Sequence, residues 1–247
     1  MGKIDVYRER LRALDDWEPY LRAESGLPGP RGNIELGQAV AEEGDAELFD
    51  MLLSWDANKA PTNSTGEFLA FCGALGLGRL LTEGEMGALE KLRQCANDPR
   101  WRVREATAMA LQQWGRVDMD ALLAEMRKWA QGSLLEQRAA AAALCEPDLL
   151  REAEKVESVL EILDRITTAF VLTTDKSDGD YKTLRQGLGY CWSVAVAANP
   201  GCGKPYMERW FDCDDRDVRW IMKENLRKKR LERMDSEWTT TWRAKLV

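Results

Sequence analysis

The stretch Asp98-Pro99-Arg100-Trp101-Arg102-Val103-Arg104-Glu105-Ala106 constrains the fold more than any other, because an Asp-Pro turn leads straight into a Val-Arg pair and an alanine-rich helical pattern. Asp214-Asp215-Arg216-Asp217-Val218-Arg219-Trp220-Ile221 opens another helix in the same way. A local motif used twice points to one helical hairpin used repeatedly. Aligning an arginine near the start of each second helix gives Arg104, Arg138, Arg185 and Arg219, separated by 34, 47 and 34 residues. Stacked helix pairs repeat at about 30 to 45 residues. The longer interval holds the polar segment Thr173 to Asp180 and an extended helical pattern over 152–172, as an insertion would. A degenerate earlier unit aligns Ala74-Leu75 with Ala110-Leu111 and puts Phe68 where Arg104 stands.

Apolar residues recur three and four apart along nearly the whole chain, which predicts an all-helical protein. Glu24 to Asn33 interrupts the pattern with glycines and prolines, and Asn33 is placed to cap the next helix. Ser64-x-x-Glu67 is a capping box opening a helix through Leu77. Arg216 to Met234 reads as one long helix. These patterns predict an N-terminal helical cap over 1–44, repeats over 45–234 and a tail over 235–247, joined in one continuous domain of 247 residues.

Composition narrows the function. The longest apolar runs, such as Ala139 to Leu144, fall far short of the roughly 20 residues that cross a bilayer. The start Met1-Gly2-Lys3-Ile4-Asp5 lacks the apolar core of a secretory signal, and Val6 stands where a myristoylation signal has Ser or Thr. Six cysteines without a Cys-x-x-Cys pair read as reduced, mostly buried thiols, so a cytoplasmic protein is expected. There is no histidine, which removes imidazole acid-base chemistry and Ser-His-Asp or Cys-His nucleophiles. No metal site and no cofactor are expected. The net charge of -7 is uneven: Arg216 to Val247 holds 10 Lys or Arg against 5 Asp or Glu. A local basic patch therefore survives an acidic total.

With its turn aspartate Asp98 five and six residues before Val103 and Arg104, the chain resembles the HEAT and armadillo-type helical-repeat proteins, over roughly 45–234. Asp214 lies one residue too close to Val218, so only part of the signature carries over in the last unit. The resemblance implies a right-handed α-solenoid of HEAT-like helix pairs, with second helices lining a concave face. Asp98, Arg104 and Arg138 would then serve repeat stacking, as Arg185 and Arg219 also would. Weaker similarity links the chain to HEAT-like DNA alkylation-repair glycosylases, which place Trp and basic residues on a concave face. Their catalytic aspartate follows a tryptophan by one turn, whereas Trp55-Asp56 and Trp210-Phe211-Asp212 have the wrong spacing and Trp17 with Tyr20 and Leu21 supplies no acid. No catalytic residue is carried over.

Between Arg216 and Met234, Val218, Ile221, Met222 and Leu226 share one side while Arg219, Lys223, Arg227 and Arg230 share another, thickened by Lys228, Lys229 and Arg233. Such cations also favour a helix C-terminus and keep a terminal helix hydrated. Most of the ten tryptophans should be core. Trp101 and Trp220, each beside a Val-Arg pair, are candidates for a groove-facing aromatic. Arg31, Gly32 and Asn33 offer an anion site at a helix start, against the plainer role of a rigid turn. Gly201-Cys202-Gly203-Lys204-Pro205 departs from a phosphate loop, since Ala198 replaces its leading glycine and Pro205 its Ser or Thr, and reads as an interhelical turn. Asp175 to Asp180 departs from a calcium loop, with Gly179 one place early. The expected function is a non-enzymatic scaffold holding a protein or peptide in a groove lined by Trp101, Arg185, Arg219, Trp220, Lys223, Arg227 and Arg230. A nucleic-acid binder using the basic C-terminal helix, or a diverged DNA alkylation-repair protein as the weaker similarity implies, is the alternative, and no membrane partner is expected.

Overall fold

In a computed structural model describing residues 2–246, the three-and-four spacing becomes fifteen α-helices and no strand among the described residues. No helix among them is long and apolar enough to cross a membrane. The helices gather into two compact units, residues 2–118 and 119–246.

The first unit contains α1 (Lys3–Arg12), α2 (Glu18–Ala23), α3 (Ile34–Glu43), α4 (Ala46–Leu53), α5 (Thr65–Thr82), α6 (Ala88–Ala96) and α7 (Trp101–Val117). Its hub is α5, apolar on nearly every face and packed against α2, α3, α4, α6 and α7. Glycine lets the neighbours come close: a Cβ on Gly78 would stand 2.6 Å from the Ala110 Cα of α7, and one on Gly76 would enter the Phe49 ring. Half of the capping box at Ser64 forms: the Ser64 hydroxyl accepts from the Glu67 N–H, while the Glu67 carboxylate accepts from the Asn63 N–H instead of that of Ser64. Helix α1 is pinned to α3 where Arg8 and Arg12 converge on Glu43, at 2.5 and 2.6 Å.

Asn33 caps α3 as expected, its Oδ1 accepting from the Leu36 N–H at 3.2 Å. The Gly/Pro loop before it is tied to the helices behind: Gly29 donates its N–H to Asn63 Oδ1 at 3.1 Å, and Arg102 Nη2 donates to the Gly29 carbonyl at 2.7 Å. Gly26, at φ +72, turns the chain where a Cβ would lie 2.9 Å from the Arg31 carbonyl oxygen.

The second unit contains α8 (Met119–Trp129), α9 (Leu134–Leu144), a 3-10 turn (Pro147–Leu149), α10 (Ala153–Leu172), α11 (Gly179–Ala198), α12 (Pro200–Glu208), α13 (Arg216–Leu226), α14 (Lys229–Met234) and α15 (Ser236–Lys245). Here α11 is the hub, touching α9, α10, α12, α13 and α14. Its Trp192 is fully buried and donates its indole N–H to Thr167 on α10 at 3.1 Å. A buried amide joins α11 to α13: Asn225 Oδ1 accepts from the Ser193 N–H at 2.7 Å, and its Nδ2 donates to the Leu188 and Ile221 carbonyls at 2.8 Å each.

Three expectations need correction. The single helix over 216–234 is broken between Leu226 and Lys229, with Lys228 in an extended conformation. Continuing the apolar stripe of Val218, Ile221, Met222 and Leu226 by three and four residues would drive Lys229 and Arg233 into the core. The break resets the register so that Leu231 is buried instead, and Arg243 donates to the freed Leu226 carbonyl at 2.8 Å. The tail is also structured. Asp235 caps α15, Thr239 is fully buried, and Trp242 packs on Phe211 with ring centres 4.4 Å apart. Gly201 to Lys204 is not an interhelical turn but the first turns of α12, where Gly203 sits against the Val196 backbone.

Candidate functional site

The turn residues make a dense local network. Asp98 spends its carboxylate on Arg100, accepting from the backbone N–H at 2.8 Å and from Nη2 at 2.7 Å. Arg100 is buried and also donates to the Trp55 and Ala60 carbonyls, which fixes the turn to the segment after α4. Arg104 donates to the Asp98 and Pro99 carbonyls and so closes its own turn. Arg102 meets an acid on a neighbouring helix, its Nη1 lying 3.0 Å from Glu67 on α5, both side chains buried. In the last unit the capping residue is Asp215, accepting from the N–H groups of Asp217 and Val218, and not Asp214.

Trp101 belongs to the first unit, half-exposed at the start of α7 with the Arg102 guanidinium 4.4 Å from its ring centre. The other expected groove residues belong to the second unit. Arg185 on α11 is ion-paired to Asp217 on α13 and lies 4.4 Å from the Trp220 ring centre. Tyr181 donates its hydroxyl to the same Asp217 at 3.2 Å, and burial together with that carboxylate pushes its ionisation well up. Arg185 is thus committed to joining two helices. Trp220 rests on α11, where a Cβ on Gly189 would stand 3.1 Å from its ring, and Arg138 lies along Gly187 of the same helix.

Arg31 is exposed and approaches Glu35 at 3.8 Å, while the Asn33 cap occupies the Leu36 N–H, one of the donors that an anion at this helix start would use. Asp175 accepts from the Ser177 N–H and hydroxyl, and Asp178 caps α11. Both carboxylates serve the local turn.

Cations remain available on α13 and α14. Arg219 and Lys223, one turn apart and partly exposed, make no ion pair among the described residues, whereas Arg227 pairs with Glu224. Beyond the helix break, Lys228, Lys229, Arg230 and Arg233 form one wall of a trench of about 630 Å³. Its floor is the C-terminal half of α11, through Val194, Ala197 and Ala198, and its far wall is Pro147 and Leu150 beside the 3-10 turn. None of the described residues lining it is acidic. At its edge Tyr190, half-exposed on α11, accepts from Arg230 Nη2 through its hydroxyl oxygen, with that guanidinium 4.6 Å and Lys228 Nζ 5.9 Å from the ring centre. Lys229 and Arg233 make no ion pair among the described residues.

The sequence singled out Arg230 and noted the three other cations of this wall, but missed Val194, Ala197, Ala198, Pro147 and Leu150. Alanines on a hub helix look like core, and the helix break leaves Ala197 and Ala198 open at the surface while Val194 stays buried. The nearest thiol is Cys145, which burial pushes well above the ordinary range, so the site's chemistry is carried by fixed cations beside apolar surface. No family model, curated protein or solved structure matches the chain.

Proposed function

We propose that this chain is a non-enzymatic interaction module, built from HEAT-like helix pairs, that holds an acidic segment of a protein partner in the trench between α11 and α14. Stacked pairs are supported by the packing order within each unit. In the first, α3, α5 and α7 lie side by side with α4 and α6 against them; in the second, α9, α11 and α13 do so with α8, α10 and α12 alongside. A reducing compartment such as the cytoplasm suits six free cysteines.

One observation carries the functional reading: four cations wall a concave surface that no described carboxylate lines, in a chain whose net charge is -7. In an acidic protein most arginines find carboxylates, as Arg8, Arg12, Arg102 and Arg185 do. Leaving Lys229 and Arg233 unpaired side by side costs mutual repulsion, which a bound anion relieves. The α13 cations Arg219 and Lys223 extend the positive surface on which such a segment is first attracted.

The test is fluorescence anisotropy with a labelled Glu-rich peptide and, in parallel, a labelled DNA duplex of equal charge. Peptide binding that falls at least tenfold in Lys229→Glu/Arg233→Glu, with the fold unchanged by circular dichroism, is expected. Preferred binding of the duplex, weakening steeply with salt, would replace the protein partner by nucleic acid. Equal peptide binding in the double variant would remove the trench.

A further inference from the structure

Resting on the trench reading above, we infer that the occupant is an amphipathic α-helix, apolar along one flank and acidic along the other. The two walls differ in kind and run beside each other. Ala197 and Ala198 lie three and four residues after Val194 on α11, so the three share one helix face of the sort that another helix packs against, with Val194 buried at its base and the two alanines open to solvent. Alanine at two of those positions lets a third helix approach to about the 8 to 10 Å separation of packed helices without a bulky side chain between the axes. On α14, Lys229, Arg230 and Arg233 are spaced one and three apart, so a helix laid on α11 meets cations along its α14-facing flank only.

Other modes of peptide recognition do not suit this surface. An extended peptide adds to an open sheet edge, and no strand exists among the described residues. A polyproline segment docks between aromatic rings, whereas Tyr190 alone stands at this trench, its ring already covered by Arg230 at 4.6 Å. A helix in a groove needs an apolar floor and a charged rim, and both are present. Tyr190 fixes Arg230 at the rim, so that one cation is oriented before a partner arrives.

Three labelled peptides of about 15 residues, long enough for helix formation in water, separate this inference from the broader reading. The first carries Leu at i, i+4 and i+7 with Glu on the adjoining flank. In the second Ser replaces each Leu, and in the third a central Pro breaks the helix. Anisotropy should show the first binding at least tenfold tighter than the others, with amide signals of α11 and α14 shifting in the labelled protein. Ala198→Phe, a change at an exposed position, should weaken the first peptide and leave the second unaffected. Equal binding of all three would overturn the amphipathic helix while leaving an acidic partner in place. Tight binding of the first and third together would overturn the helical conformation. Failure of every acidic peptide would remove both readings.

Discussion

Replacing Arg102 by Met tests the buried ion pair that joins α7 to α5. The Glu67 side chain is fully buried and that of Arg102 is 6% exposed, so neither charge is hydrated in the folded unit. Arg102→Met removes the contact to Glu67 at 3.0 Å and the bond to the Gly29 carbonyl at 2.7 Å, stranding a carboxylate in the core. Stranding one partner of a buried pair costs about 3 to 5 kcal/mol, against a total stability of about 5 to 15 kcal/mol for a domain. The intact pair itself contributes much less, because Glu67 Oε1 and Arg102 Nε find no hydrogen-bond partner and both charges were desolvated to meet. Arg102→Met/Glu67→Met should therefore recover most of the loss, short of about 1 kcal/mol for the Asn63 N–H that Glu67 also accepts. Urea denaturation of the three proteins reads these differences from the midpoints at constant slope. An Arg102→Met variant within about 1 kcal/mol of the parent would refute the assignment.

Asn225→Ala should destabilise by about 2 to 4 kcal/mol by urea denaturation, since it strands the Ser193 N–H and the Leu188 carbonyl inside the second unit and opens a small void. Thiol labelling of the native protein should be confined to the partly exposed Cys202 and Cys213: Cys72, Cys95, Cys145 and Cys191 are buried, with Cys95 pushed up to about 12 by desolvation, and all six should react after unfolding. The Asp235 carboxylate is held below the usual range by the Lys204 ammonium at 2.5 Å and then by the Trp238 N–H, so it stabilises the fold above its unfolded value near about 4 and loses that contribution as pH falls through the lower folded value. Thermal melts should accordingly show the gap between parent and Asp235→Asn constant at neutral pH and closing as pH drops below about 4; a gap independent of pH down to about 2 would contradict the Lys204 contact.

The helical class was legible because side-chain spacing reports directly on which residues face a core, and little else is needed when every element is a helix. Caps were legible for the same local reason: the Asn33 and Ser64 side chains act within three residues of themselves. Side-chain partners across the fold were not. Val103-Arg104 drew attention as a motif, yet which of Arg100, Arg102 and Arg104 turns inward depends on where the first turn of α7 sits against α5, and helical rotation of about 100° per residue gives the three quite different neighbours. The residue that looks conspicuous in the sequence closes its own turn, and the less conspicuous Arg102 crosses to Glu67. For α15 a signal was present and passed over: Asp235 as cap, followed by Trp238 and Trp242 four apart, is a short amphipathic helix opening.

The candidate site shows how one unrecognised break changes function. Read as a continuous helix, residues 216–234 present a single basic ridge from Arg219 to Arg230, backed by an apolar stripe that runs out after Leu226. The missing signal was that exhaustion: Lys229 and Arg233 occupy the next stripe positions, and no core accepts two cations without partners. A chain in that position must either leave the protein or turn. It turns, burying Leu231, and the turn carries the four following-strip cations away from Arg219 and Lys223 and over the end of α11. The floor there is open because α14 spans only Lys229–Met234 and leaves Ala197 and Ala198, above the buried Val194, at the edge of a trench instead of beneath a full-length helix. Moving the break should move the site. Replacing Lys229 and Arg233 together by Leu restores the stripe that a continuous helix needs, and should favour α13 running on through residue 234. The expected result is higher helicity by circular dichroism with loss of acidic-peptide binding; retained binding with the helicity unchanged would show that the trench owes its existence to contacts other than the exhausted stripe.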